Sequence, residues 1–168
     1  LAGHDGLIVD PWSEAEITRI GQADRLLIVG AGLTGADVVT SLHRRGHAGD
    51  IVMLSRHGLP PNRQHDFGDV GALLERVRRP IPDFIERHGE FASVRQVVRA
   101  VRRDIEAARR ADPDFDWRQA FDHVRDAGGM IWRNLPKAEK RRYARHLSSY
   151  YGSHRNRVAP QVVDDLDT

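Results

Sequence analysis

The sequence predicts an α/β protein in which one βαβ unit is followed by a large α-helical second half. Short apolar runs at 26–29 and 51–54 flank an amphipathic stretch over 33–46, and this order indicates strand, helix and strand. The first run is continuous, as in a parallel strand that is covered on both faces. After residue 54 no third run of this kind follows, and the apolar spacing is helical. We therefore expect a partial parallel sheet beside a helical region.

The composition is that of a soluble globular protein. The chain has 168 residues, 40% of them hydrophobic and 30% charged, which suffices for one well-buried domain, or for one domain with a helical appendage. No apolar run approaches the roughly 18 residues that cross a bilayer, and no secretory signal begins the chain, so we expect a cytoplasmic protein without a membrane partner. The absence of cysteine excludes disulfides and thiolate metal sites. The chain begins without Met, as a piece of a longer protein would.

The remaining elements follow from local signals. Residues 6–10 predict a short strand, and Ser13 with Glu16 has the pattern of a capping box for a helix that ends near Gly21. The helix after the first apolar run is expected to stop at Gly46. The helices expected in the second half are 69–79, 82–88, 93–110, 117–127, 137–151 and 160–166.

A glycine-rich turn lies between the first strand and its helix. In a dinucleotide-binding turn, the first glycine permits the tight turn, the second lets the backbone approach the diphosphate, and the third lets the helix pack on the strand. Gly30, Gly32 and Gly35 occupy these three positions. The amides that open the helix would face the phosphates, where the helix dipole favours negative charge. A structural turn without a ligand is the alternative. The turn predicts a Rossmann-like core with these cofactor-binding residues: Gly30, Ala31, Gly32, Leu33, Thr34 and Gly35.

The end of the second strand indicates which nucleotide is bound. An NAD site places an acid there to hold the ribose 2′-hydroxyl, whereas an NADP site places an arginine there for the 2′-phosphate. Asp50 precedes the strand and therefore lies at the wrong end, while Ser55, Arg56 and His57 follow it. Because a guanidinium binds a phosphate in a bidentate manner, the sequence favours NADP over NAD. The alternative is that Arg56 is a solvated loop arginine.

Several longer stretches carry a resemblance to known proteins. They read LLIVGAGLTGADVVTSLHRRGH from Leu26, IVMLSRHGLPP from Ile51, WRQAFDHVR and IWRNLPKAEKRRYARHL in the helical half, and SHRNRVAP near the end. With them the chain resembles the NAD(P)-binding Rossmann portion of two-dinucleotide-binding flavoproteins, and more closely the YdhS-like family of bacterial FAD/NAD(P)-binding proteins. The resemblance extends from residue 6 to about residue 162. Tyr151 departs from it, where the family suggests Trp.

The resemblance implies an organisation and an activity. In such proteins the NAD(P) domain is inserted within a split FAD domain, and this chain has one glycine fingerprint, not two. The chain would then comprise a nucleotide-binding βαβ core over 1–68, a helical insertion over 69–157 and a C-terminal helix over 158–168 that leads back to a missing FAD domain. The expected function is NAD(P)H binding for a flavin-dependent oxidoreductase whose FAD that domain binds. No catalytic residue is implied here, and the unfinished sheet is expected to favour self-association.

A basic segment supports an alternative function. Residues 133–157 hold eight Arg and Lys against the single acid Glu139, which is typical of a nucleic-acid-binding module or an arginine-rich adaptor that keeps the turn as a scaffold. The aromatic residues share one face of a predicted helix with a leucine: Tyr143, Leu147, Tyr150 and Tyr151. This spacing predicts core side chains rather than stacking platforms for bases, so nucleotide binding without a nucleic-acid partner is preferred.

Two further hypotheses concern histidines and arginines. The nine histidines lack a metal-binding pattern, since Gly46 interrupts the helix between His43 and His47, and no metal site is expected. The SHRNRVAP stretch suggests that its basic side chains approach the dinucleotide or the flavin domain. These side chains are His154, Arg155 and Arg157.

Overall fold

The computed structural model describes residues 4, 6–65 and 70–166. Within them the protein is mixed α/β, with a two-stranded parallel sheet and a large helical portion. The elements are α1 (Glu14–Ile17), β1 (Leu26–Val29), α2 (Leu33–Arg44), β2 (Ile51–Leu54), α3 (Val70–Arg78), α4 (Asp83–His88), α5 (Val94–Ala111), α6 (Trp117–Asn134), α7 (Lys137–His146), α8 (Ser148–Arg155) and α9 (Pro160–Leu166). The predicted boundary between 68 and 69, the helix start at Asp69 and residues 167–168 of the C-terminal segment lie outside the described residues.

The chain forms two compact units. The first comprises residues 1–63 and 158–168, and the second comprises residues 64–157. The two segments of the first unit meet in a parallel bridge between Arg63 and Val158, where the Val158 amide donates to the carbonyl of Asn62 at 2.9 Å. The chain therefore leaves the first unit and re-enters it at adjacent points.

The sheet of the first unit is parallel, as the sequence predicts. β1 pairs with β2 from Leu26 beside Ile51 to Val29 beside Leu54. One face of the sheet packs on α1 and α2, and the apolar side chains of this layer are Leu26, Ile28, Ile51, Ile17, Ile20, Val38 and Leu42. This layer forms the core of the unit on that side.

The other face of the sheet is apolar and exposed. The exposed fraction is 62% for Leu27, 80% for Val29, 55% for Val52 and 56% for Leu54. Burial alternates along both strands, so the prediction that β1 is covered on both faces is wrong for the part of the chain that is described. The reason is that α1 and α2 lie on one side only. The expectation of a partial parallel sheet is confirmed in the described residues, where the sheet has two strands.

Helix α9 packs on α2. Ala36 of α2 is fully buried in a cluster with Val158 and Val162. Arg63 forms an ion pair with Asp164 of α9. The C-terminal segment thus adds apolar cover and a surface ion pair to the first unit.

The N-terminal predictions are wrong in detail. Residues 6–10 form no strand. Ser13 is the N-cap of α1, but its side chain makes no capping hydrogen bond. The carboxylate of Glu16 instead accepts the amides of Val9 and Asp10, at 3.1 and 3.4 Å. Because Glu16 reaches past Ser13 to these earlier amides, the reciprocal capping box does not form.

The second unit contains six helices in its described residues, and side chains of α4 to α8 form its core. The buried residues of this core are Phe84, Phe91, Val94, Ala100, Val124, Ala127, Ile131 and Leu135. Helix α5 begins with a capping box in which the Ser93 hydroxyl accepts the amide of Gln96 and the Gln96 side chain accepts the amide of Ser93. This box, which the sequence analysis did not identify, fixes the start of α5.

Two helix boundaries differ from those predicted. α6 was expected to end near residue 127, but it continues to Asn134 because Ala127 and Ile131 are buried in the core. The helix expected over 137–151 is divided into α7 and α8 at Leu147, where φ is −125°. At the end of α6, tertiary packing therefore overrides the local preference.

Candidate functional site

The glycine turn after β1 has a backbone that requires glycine at its first position. Gly30 has φ of 124°, a conformation that residues with a side chain rarely adopt. Its amide donates to the carbonyl of Leu54 at 2.8 Å, which extends the ladder by one step beyond the strands. The turn is therefore fixed to the carboxyl end of β2.

Gly35 is required by packing. A Cβ at this position would lie 2.3 Å from the carbonyl oxygen of Gly30 and 2.8 Å from Cε of Met53. The first of these is a backbone atom, so the contact cannot be relieved by a side-chain rotation. The third glycine thus lets α2 lie directly against the end of β1, as the sequence predicts.

Gly32 differs from the other two. Its φ of −93° and ψ of −166° are open to any residue, and a Cβ there would meet no atom within 4 Å. Neither backbone strain nor packing in the described chain requires glycine at this position. The missing side chain leaves open space in front of the helix.

The N-terminus of α2 faces that space with unsatisfied donors. The Ala36 amide bonds to the carbonyl of Gly32 at 3.0 Å, so the amides of Leu33, Thr34 and Gly35 precede the first intrahelical bond. Gly32, the N-cap, has no side chain to cap them, and the first turn of α2 contains no acid. The positive end of the helix dipole is therefore uncompensated here, and the position suits an anion.

The residues after β2 lie at the same edge of the sheet. The register pairs Val29 with Leu54, so Ser55, Arg56 and His57 follow β2 at the edge where the glycine turn follows β1. The Ser55 hydroxyl accepts the amide of Gly58 at 3.0 Å, which orders this loop.

Arg56 and His57 are exposed. Within the described ranges, neither forms an ion pair or a hydrogen bond that would hold it elsewhere. Asp50 lies at the opposite end of β2 and pairs with Arg25 at 3.3 Å, away from the turn. The carboxyl edge of the sheet therefore presents a cation and no carboxylate at the end of β2.

The second unit contains a buried charged cluster that the sequence analysis missed. Asp122 of α6 pairs with Arg157, and both side chains are almost completely buried. His65 lies 3.4 Å from the other carboxylate oxygen of Asp122. Burial lowers the pKa of His65, although the charge of Asp122 opposes that effect. Asp122 belongs to a charged stripe that resembles a solvated helix face, so no local pattern could have identified it.

This cluster bears on the hypothesis for the SHRNRVAP stretch. Arg157 also donates to the carbonyl of Arg118 at 3.3 Å, so its guanidinium is occupied inside the second unit. Arg155 by contrast is exposed. The hypothesis that Arg157 approaches a nucleotide is therefore wrong, because burial removes its guanidinium from any such contact.

The tyrosines of the basic segment are largely core residues. Tyr143, Leu147 and Tyr151 pack against the core of the second unit, which confirms the prediction for these three. Tyr150 is 52% exposed and is not part of that core, so the prediction is wrong for this residue. Burial raises the pKa of Tyr143 and Tyr151. Two of the three aromatic rings are thus engaged in packing.

The described residues hold neither a cluster of metal ligands nor a membrane-spanning helix. Within them no group of three or more histidines and acids is placed to hold a metal ion. No helix in the same ranges has the length and apolar character needed to cross a bilayer. Comparison of the chain with protein-family models, with curated proteins and with solved structures finds no match.

Proposed function

We propose that the first unit is an NAD(P)H-binding domain, with NADP favoured over NAD, that serves a flavin-dependent oxidoreductase. The open space at Gly32, beside helix amides that no side chain caps, carries this proposal. A ligand accounts for a glycine that neither backbone nor packing requires. The diphosphate of a dinucleotide fits, because it is anionic and has to approach the backbone closely.

The order of elements supports a Rossmann-like interpretation. β1, the glycine turn, α2 and β2 follow one another as in a mononucleotide-binding unit, and the two strands are parallel. Ligands of such sheets bind outside the carboxyl ends of the strands, which is the edge that the turn occupies here. The proposed diphosphate contacts are the residues predicted from the sequence: Gly30, Ala31, Gly32, Leu33, Thr34 and Gly35.

Arg56 supports the preference for NADP. It follows β2 at the carboxyl edge, and in the described chain no acid holds it. A ribose 2′-phosphate would give this guanidinium a bidentate partner, whereas a 2′-hydroxyl would not. Ser55 and His57 flank it and complete the proposed ribose-phosphate contacts.

The exposed sheet face supports a partner domain. Leu27, Val29, Val52 and Leu54 present an apolar surface that an FAD-binding domain of the same parent protein would cover. NADPH supplies a hydride for flavin reduction when it is bound, while residues of this chain bind and orient it. No catalytic residue is proposed within the chain.

The alternative, a non-enzymatic adaptor or a nucleic-acid-binding module, has weaker support. Stacking on bases needs exposed aromatic rings beside the cations. Tyr143 and Tyr151 are packed in the core of the second unit, and Glu139 pairs with Arg142 at 2.7 Å. The basic side chains then form a solvated face.

Calorimetric titration of the full chain with NADPH and NADH tests the proposal. We expect saturable binding of NADPH, weaker binding of NADH, and a loss of about 10- to 100-fold in NADPH affinity for Arg56→Ala. Gly32→Val is expected to lower the affinity for both NADPH and NADH, because the valine side chain would occupy the space at the turn. Arg25→Ala is the matched control, since Arg25 is an exposed arginine that pairs with Asp50 at the other end of the sheet.

Three outcomes contradict the proposal in different ways. Failure of the wild-type chain to bind either nucleotide rejects dinucleotide binding. If Arg56→Ala loses affinity for NADPH and for NADH to the same degree, Arg56 does not select NADP. Salt-sensitive binding of RNA or DNA, without nucleotide binding, favours the alternative function.

A further inference from the structure

The second unit contains an apolar cavity between α5, α6, α7 and α8. Its volume is about 700 Å³, within the range of roughly 300–1,000 Å³ that is typical of small-molecule sites. Val97, Val101 and Ile105 of α5 line one side. These side chains are only partly buried, although their spacing on α5 is that of a core face.

Two adjacent glycines of α6 line the same cavity. Gly128 and Gly129 lie inside an 18-residue helix, where glycine is less favourable than alanine. A Cβ at either position would meet no atom within 4 Å, so close packing does not explain them. What the two glycines provide is width in the cavity.

Aromatic rings form another part of the wall. The rings of Phe121 and His154 are stacked with centroids 4.9 Å apart. Tyr151 lies beside Phe121 at 6.5 Å and beside Tyr143 at 6.1 Å. Flat apolar surfaces of this kind suit an aliphatic or aromatic ligand.

The charged groups that line the cavity are cations. Arg102, Arg125 and Arg155 line it, and no acid lines it among the residues that are described. Arg125 has carboxylate partners, Asp122 at 3.6 Å and Asp126 at 3.9 Å. In the described part of the chain Arg102 and Arg155 have none, so the cavity carries uncompensated positive charge.

Arg155 lines the cavity together with Tyr143 and Tyr151. Burial raises the pKa of Tyr143 and Tyr151, and the charge of Arg155 opposes this rise at both. All three residues line the same cavity. Together these groups offer hydrogen-bond donors to one anionic group.

We propose that the second unit binds a small hydrophobic carboxylic acid, with the apolar body between α5 and α6 and the carboxylate at Arg155, Tyr143 and Tyr151. The volume, the two glycines and the unpaired cations all favour an apolar ligand with one negative charge. This site is separate from the proposed nucleotide site, since its residues belong to the second unit. The two proposals can therefore fail independently.

Calorimetric titration of the full chain with decanoate, decanol and decyltrimethylammonium tests the ligand class. We expect saturable binding of decanoate at a one-to-one ratio, and affinity at least about tenfold lower for decanol and for decyltrimethylammonium. Equal affinity for the three probes overturns the assignment to a carboxylic acid. Absence of saturable decanoate binding overturns the site.

Gly128→Leu tests the location. Its side chain would enter the cavity, while replacement of a mid-helix glycine favours the helix, so we expect a folded protein with raised Tm that no longer binds decanoate. Gly152→Leu is the matched control, because Gly152 is also helical with open space around its Cβ and does not line the cavity. If Gly128→Leu binds decanoate as tightly as the wild type does, decanoate does not bind in this cavity.

Arg155→Gln tests the anion contact. We expect decanoate affinity to fall by about tenfold and decanol affinity to stay unchanged, with Arg109→Gln as an exposed control on α5 that does not line the cavity. An equal loss for both probes overturns the role of Arg155. A different result would assign the cavity to a second copy of the chain. In that case the wild-type chain self-associates and does not bind decanoate, and Gly128→Leu abolishes the self-association. This result would overturn the proposal.

Discussion

Arg157 and Asp122 form an ion pair that is almost completely buried in the second unit, with side-chain exposures of 1% and 2%. Arg157 is the last residue of that unit, and Asp122 lies within α6. His65, near the start of the unit, lies 3.4 Å from the second oxygen of Asp122. The Asp122 carboxylate therefore contacts residues at both ends of the chain segment that forms the second unit.

Removal of one member of this pair is expected to destabilise the protein strongly. Arg157→Met leaves the Asp122 carboxylate buried without its main partner, and the loss should be about 3–5 kcal/mol in the free energy of unfolding. The double variant Asp122→Leu with Arg157→Met should lose less free energy of unfolding than the two single variants lose when their losses are added. Urea unfolding measures all three.

An exposed ion pair is the control for that experiment. Arg45 pairs with Glu14 at 2.7 Å, with side-chain exposures of 43% and 71%. Arg45→Ala should therefore change the free energy of unfolding far less than Arg157→Met does. Equal effects of Arg157→Met and Arg45→Ala would contradict the assignment of a buried, structural pair.

Stability should fall on mild acidification because of two histidines. Burial lowers the pKa of His65 and His123 below the ordinary value of 6.5, and for His123 the charges of Arg76 and Arg87 add to the effect. The unfolded chain therefore binds protons at a pH where the folded protein does not. The free energy of unfolding is expected to be level well above pH 6.5 and to decrease as the pH falls from about 6.5 towards the lower folded-state pKa.

Urea unfolding at pH 7.5, 6.5 and 5.5 measures this dependence. His65→Gln and His123→Gln should each reduce the change in the free energy of unfolding between pH 6.5 and pH 5.5, which is the slope of this dependence. His57→Gln, at an exposed position, should leave the slope unchanged. A slope that is the same in all four proteins would show that other groups determine the acid sensitivity.

The glycines of the turn should respond differently to substitution. Gly35→Ala places a Cβ against the carbonyl oxygen of Gly30, and overpacking of this kind costs about 1–3 kcal/mol in the free energy of unfolding. Gly32→Ala meets open space, so its stability should lie within about 0.5 kcal/mol of the wild type while its NADPH affinity falls.

Unfolding curves and NADPH titrations of both variants check this prediction. Strong destabilisation by Gly32→Ala would show that packing, not ligand space, requires that glycine. Unchanged stability in Gly35→Ala would contradict the close approach of α2 to the end of β1.

The exposed sheet face should promote self-association. Val29 and Leu54 are 80% and 56% exposed on an apolar surface, so Val29→Lys with Leu54→Lys should weaken association by at least about tenfold. Val9→Lys is the control, because Val9 is 76% exposed and lies outside the sheet. Sedimentation equilibrium over a range of protein concentrations measures the effect, and equal association in all three proteins would exclude the sheet face.

The predictions that succeed depend on neighbours in sequence. The strands at Leu26–Val29 and Ile51–Leu54 have the predicted bounds, and α2 begins at Leu33 and is followed by Gly46 with φ of 84°. Apolar runs and glycines act on the backbone within a few residues, so a sequence reports them directly.

The predictions that fail depend on contacts from elsewhere in the chain. Gly128 and Gly129 suggest a helix end, yet core contacts carry α6 to Asn134. Glu16 suggests a capping box, yet its carboxylate binds the amides of Val9 and Asp10. In both cases a partner outside the local pattern offers a more favourable interaction.

The sequence by itself determined the βαβ unit, the glycine turn and the helical character of the second half, because these follow from backbone conformation and apolar periodicity. Only the tertiary structure decided which sheet face is covered, that Asp122 pairs with Arg157, and that α5 to α8 leave a cavity beside the core of the second unit. These features depend on contacts between side chains that are far apart in the sequence, and local sequence patterns do not predict such contacts.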